Sequence, residues 1–374
     1  MTPHEKIIAL RESGRMSECA AAVHDLLGSA DEQERCAGAL FAISYNFYSE
    51  FAAAVAILKP LFPALKADFN ICAPLAYAAW AANDAELCSA AARQCIILNP
   101  KDPAGYLRLG VLKLGQQEFR EAVSSLSAGI RNCPGSADQM RGWLALAESK
   151  VKGIEEARLK FDGEDFIFEL ATFNGHAMEA SLTFLAGALC EAEELRFARR
   201  FVQRCETVLE VGASVGNHAV YFAKTFGPKN VYVFDALPAA ARQTERNLRL
   251  NGLDRNGVNI VVRNAIVGAR GIRKAESGSG VECVCLDDEV LHKVDFIKID
   301  VDGMEMEVLE GCRRIISRDR PKMMVEVSHA LENAFRDFVG RSGYAIMKEI
   351  ARDTDTNFFI GPASGAGQAP YPSQ

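Results

Sequence analysis

Two architectures follow one another in this sequence. Residues 1–152 predict an all-α helical repeat array, and residues 153–360 predict an α/β domain whose mostly parallel sheet carries helices on both faces. Three observations lead to this. Apolar and small residues recur every 34 positions in the first part. Short β-branched runs alternate with helical patterns in the second. A glycine-bearing turn follows the first well-formed strand. Residues 361–374 are rich in Gly, Pro and Ser and read as a disordered tail.

The repeat is visible in several registers at once. Ile7, Phe41, Leu75 and Leu109 are apolar and 34 apart; Ala20, Ala54, Cys88 and Ala122 are small and 34 apart; Phe51, Ala85 and Phe119 share the same spacing. Pro100 and Pro134 each close a repeat. A small residue lets two helices cross closely, and a helix pair that cannot bury its apolar side alone must stack on its neighbour. This is the tetratricopeptide-type pattern, best preserved over residues 102–134. Four degenerate repeats are expected, with a further helix over Met140–Lys150 capping the stack. Such arrays offer a concave surface for a partner protein or an extended ligand.

Beyond Gly153 the pattern changes. ARLKFDGEDFIFEL alternates phenylalanines with polar residues around Asp162-Gly163, a hairpin signal. A helical stretch, EAEELRFARRFVQRC, leads into the alternating region. Strands are expected at Thr207–Val211, Asn230–Phe234, Val258–Val262, Asp295–Ile299 and Lys322–Val327, with an additional one at Val281–Cys285. Helices are expected from about His218, over Ala239–Asn251, Glu305–Ser317 and Leu331–Arg341. Two late strands follow at Tyr344–Glu349 and Thr356–Ile360. Alternation of this kind makes a parallel sheet, whose ligands bind beyond the carboxyl ends of the strands.

Composition narrows the function. Hydrophobic residues make up 49% and charged residues 24% of 374, which excludes a disordered chain. A net charge of −7 gives no overall field for gripping nucleic acid. No stretch reaches the ~18 apolar residues of a membrane span, and MTPHEKIIALRESGR lacks the apolar core of a secretion signal. The 11 cysteines include no C-x-x-C pair, which fits a reducing cytoplasm.

The residues that matter should follow the strands. After the first comes VLEVGASVGNHA, where Gly212 and Gly216 permit a tight turn and a close backbone approach to a ligand, with Ala213 and Ser214 between them in the cofactor loop. Ser214 breaks the G-x-G-x-x-G spacing of a dinucleotide loop, and no Lys-Ser/Thr ends a phosphate loop. Glu210 just before this turn repels a pyrophosphate but suits a cationic group. Asp235 ends the second strand, about 20 residues on, where an acid accepts ribose hydroxyls; it is also placed to cap the helix that follows. Asn264-Ala265 after the third strand suit an adenine edge. Ribose, adenine and a positive sulfonium together describe S-adenosylmethionine. Asp300 ends the fourth strand, suited to orient a substrate hydroxyl or to approach the cofactor amine, and His329 follows the fifth, placed either as a general base or as a surface residue at a helix start. Whether Asp300 also holds Mg²⁺ is left open. Lys298, inside FIKID, is suited to an ion pair with a neighbouring acid, Glu305 to the dipole of its helix, and His218 to packing.

VLEVGASVGNHAVYFA, the CLDD segment, VDFIKIDVDGMEMEVLEG and RPKMMVEVSH, taken together, resemble the FkbM-type methyltransferases of the class I, Rossmann-like fold over roughly Phe161 to Ile360. Family members show Asp, Glu and Glu where Glu210, Asp235 and Asp302 stand here, each an exchange of one acid for another. The resemblance implies S-adenosylmethionine as cofactor and O-methylation of a hydroxyl, commonly on a sugar or polyketide, and it includes a Lys at position 298. The alternative is a binding scaffold in which the repeats act and the second domain is relict.

Overall fold

The computed structural model describes residues 2–363 apart from 14, 46–49, 256, 269–270, 275–279, 302 and 353. Asp302 and most of the Gly/Pro-rich tail thus lie outside the described residues. The chain divides into two compact units, Met1–Glu155 and Glu156–Gln374.

The first unit is helical: α1 (Pro3–Glu12), α2 (Met16–Leu27), α3 (Glu32–Ser44), α4 (Phe51–Leu58), a short α5 (Phe62–Leu65), α6 (Phe69–Ala81), α7 (Ala85–Leu98), α8 (Ala104–Gly115), α9 (Phe119–Asn132) and α10 (Asp138–Val151). Side chains of Asp31, Asp68 and Asp84 accept from the first-turn amides of α3, α6 and α7, supplying partners that the helix itself cannot. Successive long helices pack on one another, and α3, α6, α8 and α10 also touch in succession. Glycines sit at close approaches between these helices. A Cβ on Gly105 would lie 2.6 Å from the Ala92 carbonyl oxygen of α7, and one on Gly110 would lie 2.5 Å from Leu126 Cγ of α9. Small residues at these positions are therefore a packing requirement.

The second unit opens with a hairpin, β1 (Glu156–Phe161) and β2 (Glu164–Glu169), turned by Asp162 and Gly163 at positive φ. Then come α11 (Gly175–Leu185), α12 (Ala192–Phe201), β3 (Thr207–Val211), α13 (Asn217–Thr225), β4 (Asn230–Asp235), α14 (Pro238–Leu250) and β5 (Asn259–Asn264). The chain continues through β6 (Ile266–Val267), β7 (Gly271–Lys274), β8 (Gly280–Val284), α15 (Leu286–Glu289) and β9 (Phe296–Ile299). It closes with α16 (Glu305–Gly311), α17 (Arg313–Asp319), β10 (Lys322–Ser328), α18 (Glu332–Arg341), β11 (Tyr344–Ala351) and β12 (Asp355–Pro362).

Seven strands form one sheet in the order β11-β12-β10-β9-β3-β4-β5. The strands from β10 to β5 pair parallel, and β12 runs antiparallel to both β10 and β11. β3 is central: the chain leaves it for β4 and β5 on one side and returns to β9 on the other, which makes a switch point beside its carboxyl end. A separate small sheet, β6-β8-β7, contains more strands than the single one expected near Val281. The helix expected over Glu305–Ser317 is two helices, because Cys312 leaves helical geometry at φ −122°; next to it, Gly311 packs against the Gly268 backbone.

The two faces of the sheet differ. Leu209, Val211, Ile297, Ile299, Val325 and Val327 enter a core with Leu309, Ile315 and Phe335 from α16, α17 and α18. Alternation along a strand sends Glu210, Lys298 and Glu326 to the opposite face. There Phe222 of α13 and Phe226 at its C-cap pack edge-on to Phe296, and Phe197 of α12 packs on Phe359.

Candidate functional site

The turn after β3 is fixed by backbone and side-chain bonds together. Gly212 N donates to Phe234 O at 2.9 Å, and Asp300 N donates to Val211 O at 3.0 Å. A Cβ on Gly212 would fall 1.6 Å from the Asp300 carbonyl oxygen, so no other residue fits there with φ at 80°. Gly216, also at positive φ, lies against Thr244 of α14. The Ala213 and Ser214 amides both donate to Asp235 Oδ2 at 2.9 Å, and Leu237 N donates to Asp235 Oδ1 at 2.8 Å. The helix cap of α14 is Leu237, two residues beyond Asp235. Asp235 therefore stitches the first turn to the second strand end. Burial pushes its carboxyl up, against the three amides that lower it.

Asn264 and Ala265 stand at the end of β5. Asn264 Nδ2 and Ala265 N both donate to the Asp235 carbonyl at 2.9 Å; Asn264 is exposed and Ala265 buried. Two asparagines, Asn247 on α14 and Asn251 at its C-cap, add to the site without standing at a strand end. Asn247 Nδ2 donates to Val215 O at 2.7 Å while its Oδ1 accepts from Glu169 N at 2.8 Å, and Asn251 bonds both the amide and the carbonyl of Ile167. Their signal was a one-turn spacing on a helix that follows the glycine turn.

Charges gather on the sheet face opposite the core. Lys298 is 2% exposed; its Nζ donates to Gly212 O and to Asp300 Oδ2, each at 2.8 Å, and lies 3.8 Å from Glu210 Oε1. Burial works to lower the Lys298 ammonium, but the carboxylates of Asp300, Glu210 and Glu191 outweigh it and hold it above its ordinary value. Glu210 is wholly buried, and neither of its carboxylate oxygens has a hydrogen-bond partner among the described residues. Burial pushes its carboxyl up despite Lys298. The Asp300 side chain remains 29% exposed at the strand end.

A second layer of ion pairs backs this one. His218 Nε2 lies 3.0 Å from Glu191 Oε2, and Arg352 lies 3.4 Å from Glu191 and closer to Glu194. Burial tends to raise the Glu191 carboxyl, but His218, Lys298 and Arg352 hold it down at about 2. Asn217, beside His218, bonds both the amide and the carbonyl of Cys190. His329 is exposed just beyond β10, its amide donating to Thr354 O at 3.3 Å. Glu305 Oε1 accepts from Gly303 N at 2.7 Å. Among the described residues no group of His, Cys, Asp and Glu side chains is placed to hold a metal ion, so the Mg²⁺ left open at Asp300 finds no ligand set. No described helix is long and apolar enough to cross a membrane.

Residues 210–346 match the methyltransferase FkbM domain. This match lies within the second unit. Solved structures that resemble the chain include methyltransferase FkbM from Methylobacillus flagellatus KT, at 18% identity and a TM-score of 0.36 over 67% of this chain and 70% of that one. An rRNA methylase from Streptococcus thermophilus matches at 15% identity and 0.34, over 46% and 96%. M. jannaschii TYW2 in complex with AdoMet matches at 15% identity and 0.33, over 55% and 85%. No curated protein matches significantly.

Proposed function

We propose that the second unit is an S-adenosylmethionine-dependent O-methyltransferase acting on a hydroxyl, on a sugar or glycan in our reading. One observation carries it: beside the glycine turn stand three carboxylates, Glu210, Asp235 and Asp300, and one buried ammonium, Lys298. That gathering of acids, with neither Glu210 oxygen hydrogen-bonded among the described residues, fits a ligand bearing positive charge and disfavours a pyrophosphate. S-adenosylmethionine supplies, when bound, a methyl group on a positive sulfur. Glu210, Gly212, Ala213, Ser214, Gly216, Asp235, Asn264 and Ala265 would hold it, with the ribose at Asp235 and the adenine at Asn264-Ala265.

Asp300 orients the acceptor hydroxyl at the end of β9, and proximity supplies much of the acceleration. The hydroxyl proton goes to a group at the end of β10, where His329 and Glu326 both stand. The helical unit is, in this proposal, a tetratricopeptide-type array that binds the acceptor or a partner protein; the repeating registers and the close approaches at Gly105 and Gly110 support it. The free cysteines support a reducing, cytoplasmic setting.

Calorimetry tests the cofactor assignment. The protein should bind S-adenosylmethionine and S-adenosylhomocysteine, and Asp235→Ala should weaken both by ~1.5–3 kcal/mol, the worth of a hydrogen bond to a charged group. Failure of the wild type to bind either ligand refutes the proposal, and unchanged affinity in the variant refutes the role of Asp235. A chain beginning at Gly153 should keep cofactor affinity; loss of binding in that folded fragment would place part of the cofactor site in the helical unit.

A further inference from the structure

The register of the sheet places a charged residue that the reading of the strand ends passed over. Ile299 of β9 pairs with Val325 of β10, so Asp300 and Glu326, one residue on, stand level on neighbouring strands. On the other side Glu326 pairs with Asn357 of β12, whose Nδ2 donates to Glu326 Oε2 at 3.1 Å. One step toward the amino ends, Glu210 pairs with Lys298. The face thus carries two ranks: Glu210 and Lys298 below, and Asp300, Glu326 and Asn357 above, at the edge where ligands bind.

The two upper carboxyls are not equivalent. Lys298 donates to Asp300 at 2.8 Å, while Glu326 has an amide for a partner. Like charges on adjacent strands disfavour ionising both. We propose that Glu326 carries the exchangeable proton of this pair and is the catalytic base: it gives up its proton when a cationic cofactor arrives and then takes the proton of the acceptor hydroxyl. This rests on the cofactor reading above. Glu326 accepts that proton as the acceptor oxygen bonds to the methyl carbon and the methyl carbon–sulfur bond breaks, leaving its electron pair on sulfur. Asp300, already claimed by Lys298, orients the hydroxyl. His329 lies three residues farther on and faces solvent.

The surroundings of Glu326 agree with this. Burial, then the charges of Asp300, Glu191 and Asp355, push its carboxyl up to about 8, with Lys298 opposing them. Arg352, from the turn between β11 and β12, also acts on it but is occupied by Glu194 and Glu191. A base should titrate near the working pH.

The test uses the full chain and needs no acceptor. Calorimetry in buffers of different ionisation enthalpy counts protons released when S-adenosylmethionine or S-adenosylhomocysteine binds at pH 7. The two ligands share an ammonium and differ in the charge on sulfur, so their difference isolates the sulfonium. The expected difference is up to ~1 proton in the wild type, none in Glu326→Gln, and a retained release in Glu326→Asp. Asp300→Asn should reduce it, because one of the charges that hold the proton on Glu326 is removed; this second variant serves if Glu326→Gln does not fold. Equal release in the wild type and Glu326→Gln, or release undiminished in Asp300→Asn, overturns the proposal. Binding of both ligands with no difference in the wild type overturns it while leaving the cofactor reading intact. Absence of binding overturns both.

Discussion

The two faces of the seven-stranded sheet are built from the same strands and held by opposite physics. On one face Leu209, Ile297, Ile299 and Val325 meet apolar helices, and each contributes by leaving water. On the other, residues one position away take Glu210 and Lys298 out of water and leave Glu326 half-buried. The first face tolerates changes that keep volume. The second depends on a single ammonium that offsets several carboxylates. A strand can therefore serve stability and chemistry together, since neighbouring residues point to different environments.

The largest effect should come from removing that ammonium. Lys298→Met keeps much of the length of the side chain but leaves Glu210 and Asp300 uncompensated, which should cost ~3–5 kcal/mol in urea unfolding. A loss below 1 kcal/mol would mean that the carboxylates neutralise themselves and that the charged face does not depend on Lys298. On the apolar face Ile299→Ala should cost ~2–5 kcal/mol through lost burial and a residual cavity. Its cost should be the same at pH 5 and pH 8.5, whereas that of Lys298→Met should vary.

A finer contrast lies within the charged side, between Glu326 and Glu191. The folded state holds a proton on Glu326 up to about 8, while an unfolded chain releases it near the ordinary 4.5. Between those values the native state binds more protons, so Glu326 makes stability fall as pH rises. Glu326→Gln should flatten that slope and be the more stable protein at pH 8.5. Glu191 has the opposite sign: held down at about 2, it stabilises the fold above the ordinary carboxylate range, and this is lost as pH falls toward 2. Parallel pH profiles for wild type and Glu326→Gln would remove the distinction. The smallest effect is expected at His329→Ala, within ~0.5 kcal/mol, because the side chain is exposed.

Much of this arrangement could be read in the sequence, for reasons that differ by residue. The glycine turn, Asp235 and Asp300 are legible because each ends a strand, and strand ends follow from local pattern. Lys298 was legible as an ion-pair partner, since an ammonium inside an apolar strand must find acids. Glu326 was not. Its importance depends on which residue of β9 stands beside it, and register is set by pairing across the sheet. Asn247 and Asn251 were hidden for a similar reason: their partners on β2 are some 80 residues away, and helix spacing alone does not reveal them. The break at Cys312 arises beside a contact between Gly311 and Gly268, again a matter of long-range fit.

The buried cysteines give the molecule internal clocks. Burial pushes the Cys88 and Cys95 thiols of the helical unit, and the Cys205 thiol of the sheet unit, up to about 12, so none is a thiolate at neutral pH while folded. An alkylating reagent reaches them only through opening of the structure around each one. Peptide mapping after a timed pulse of iodoacetamide would then report the opening of the two units separately in the unaltered chain, and the partly exposed Cys36 and Cys285 would mark the rate without protection.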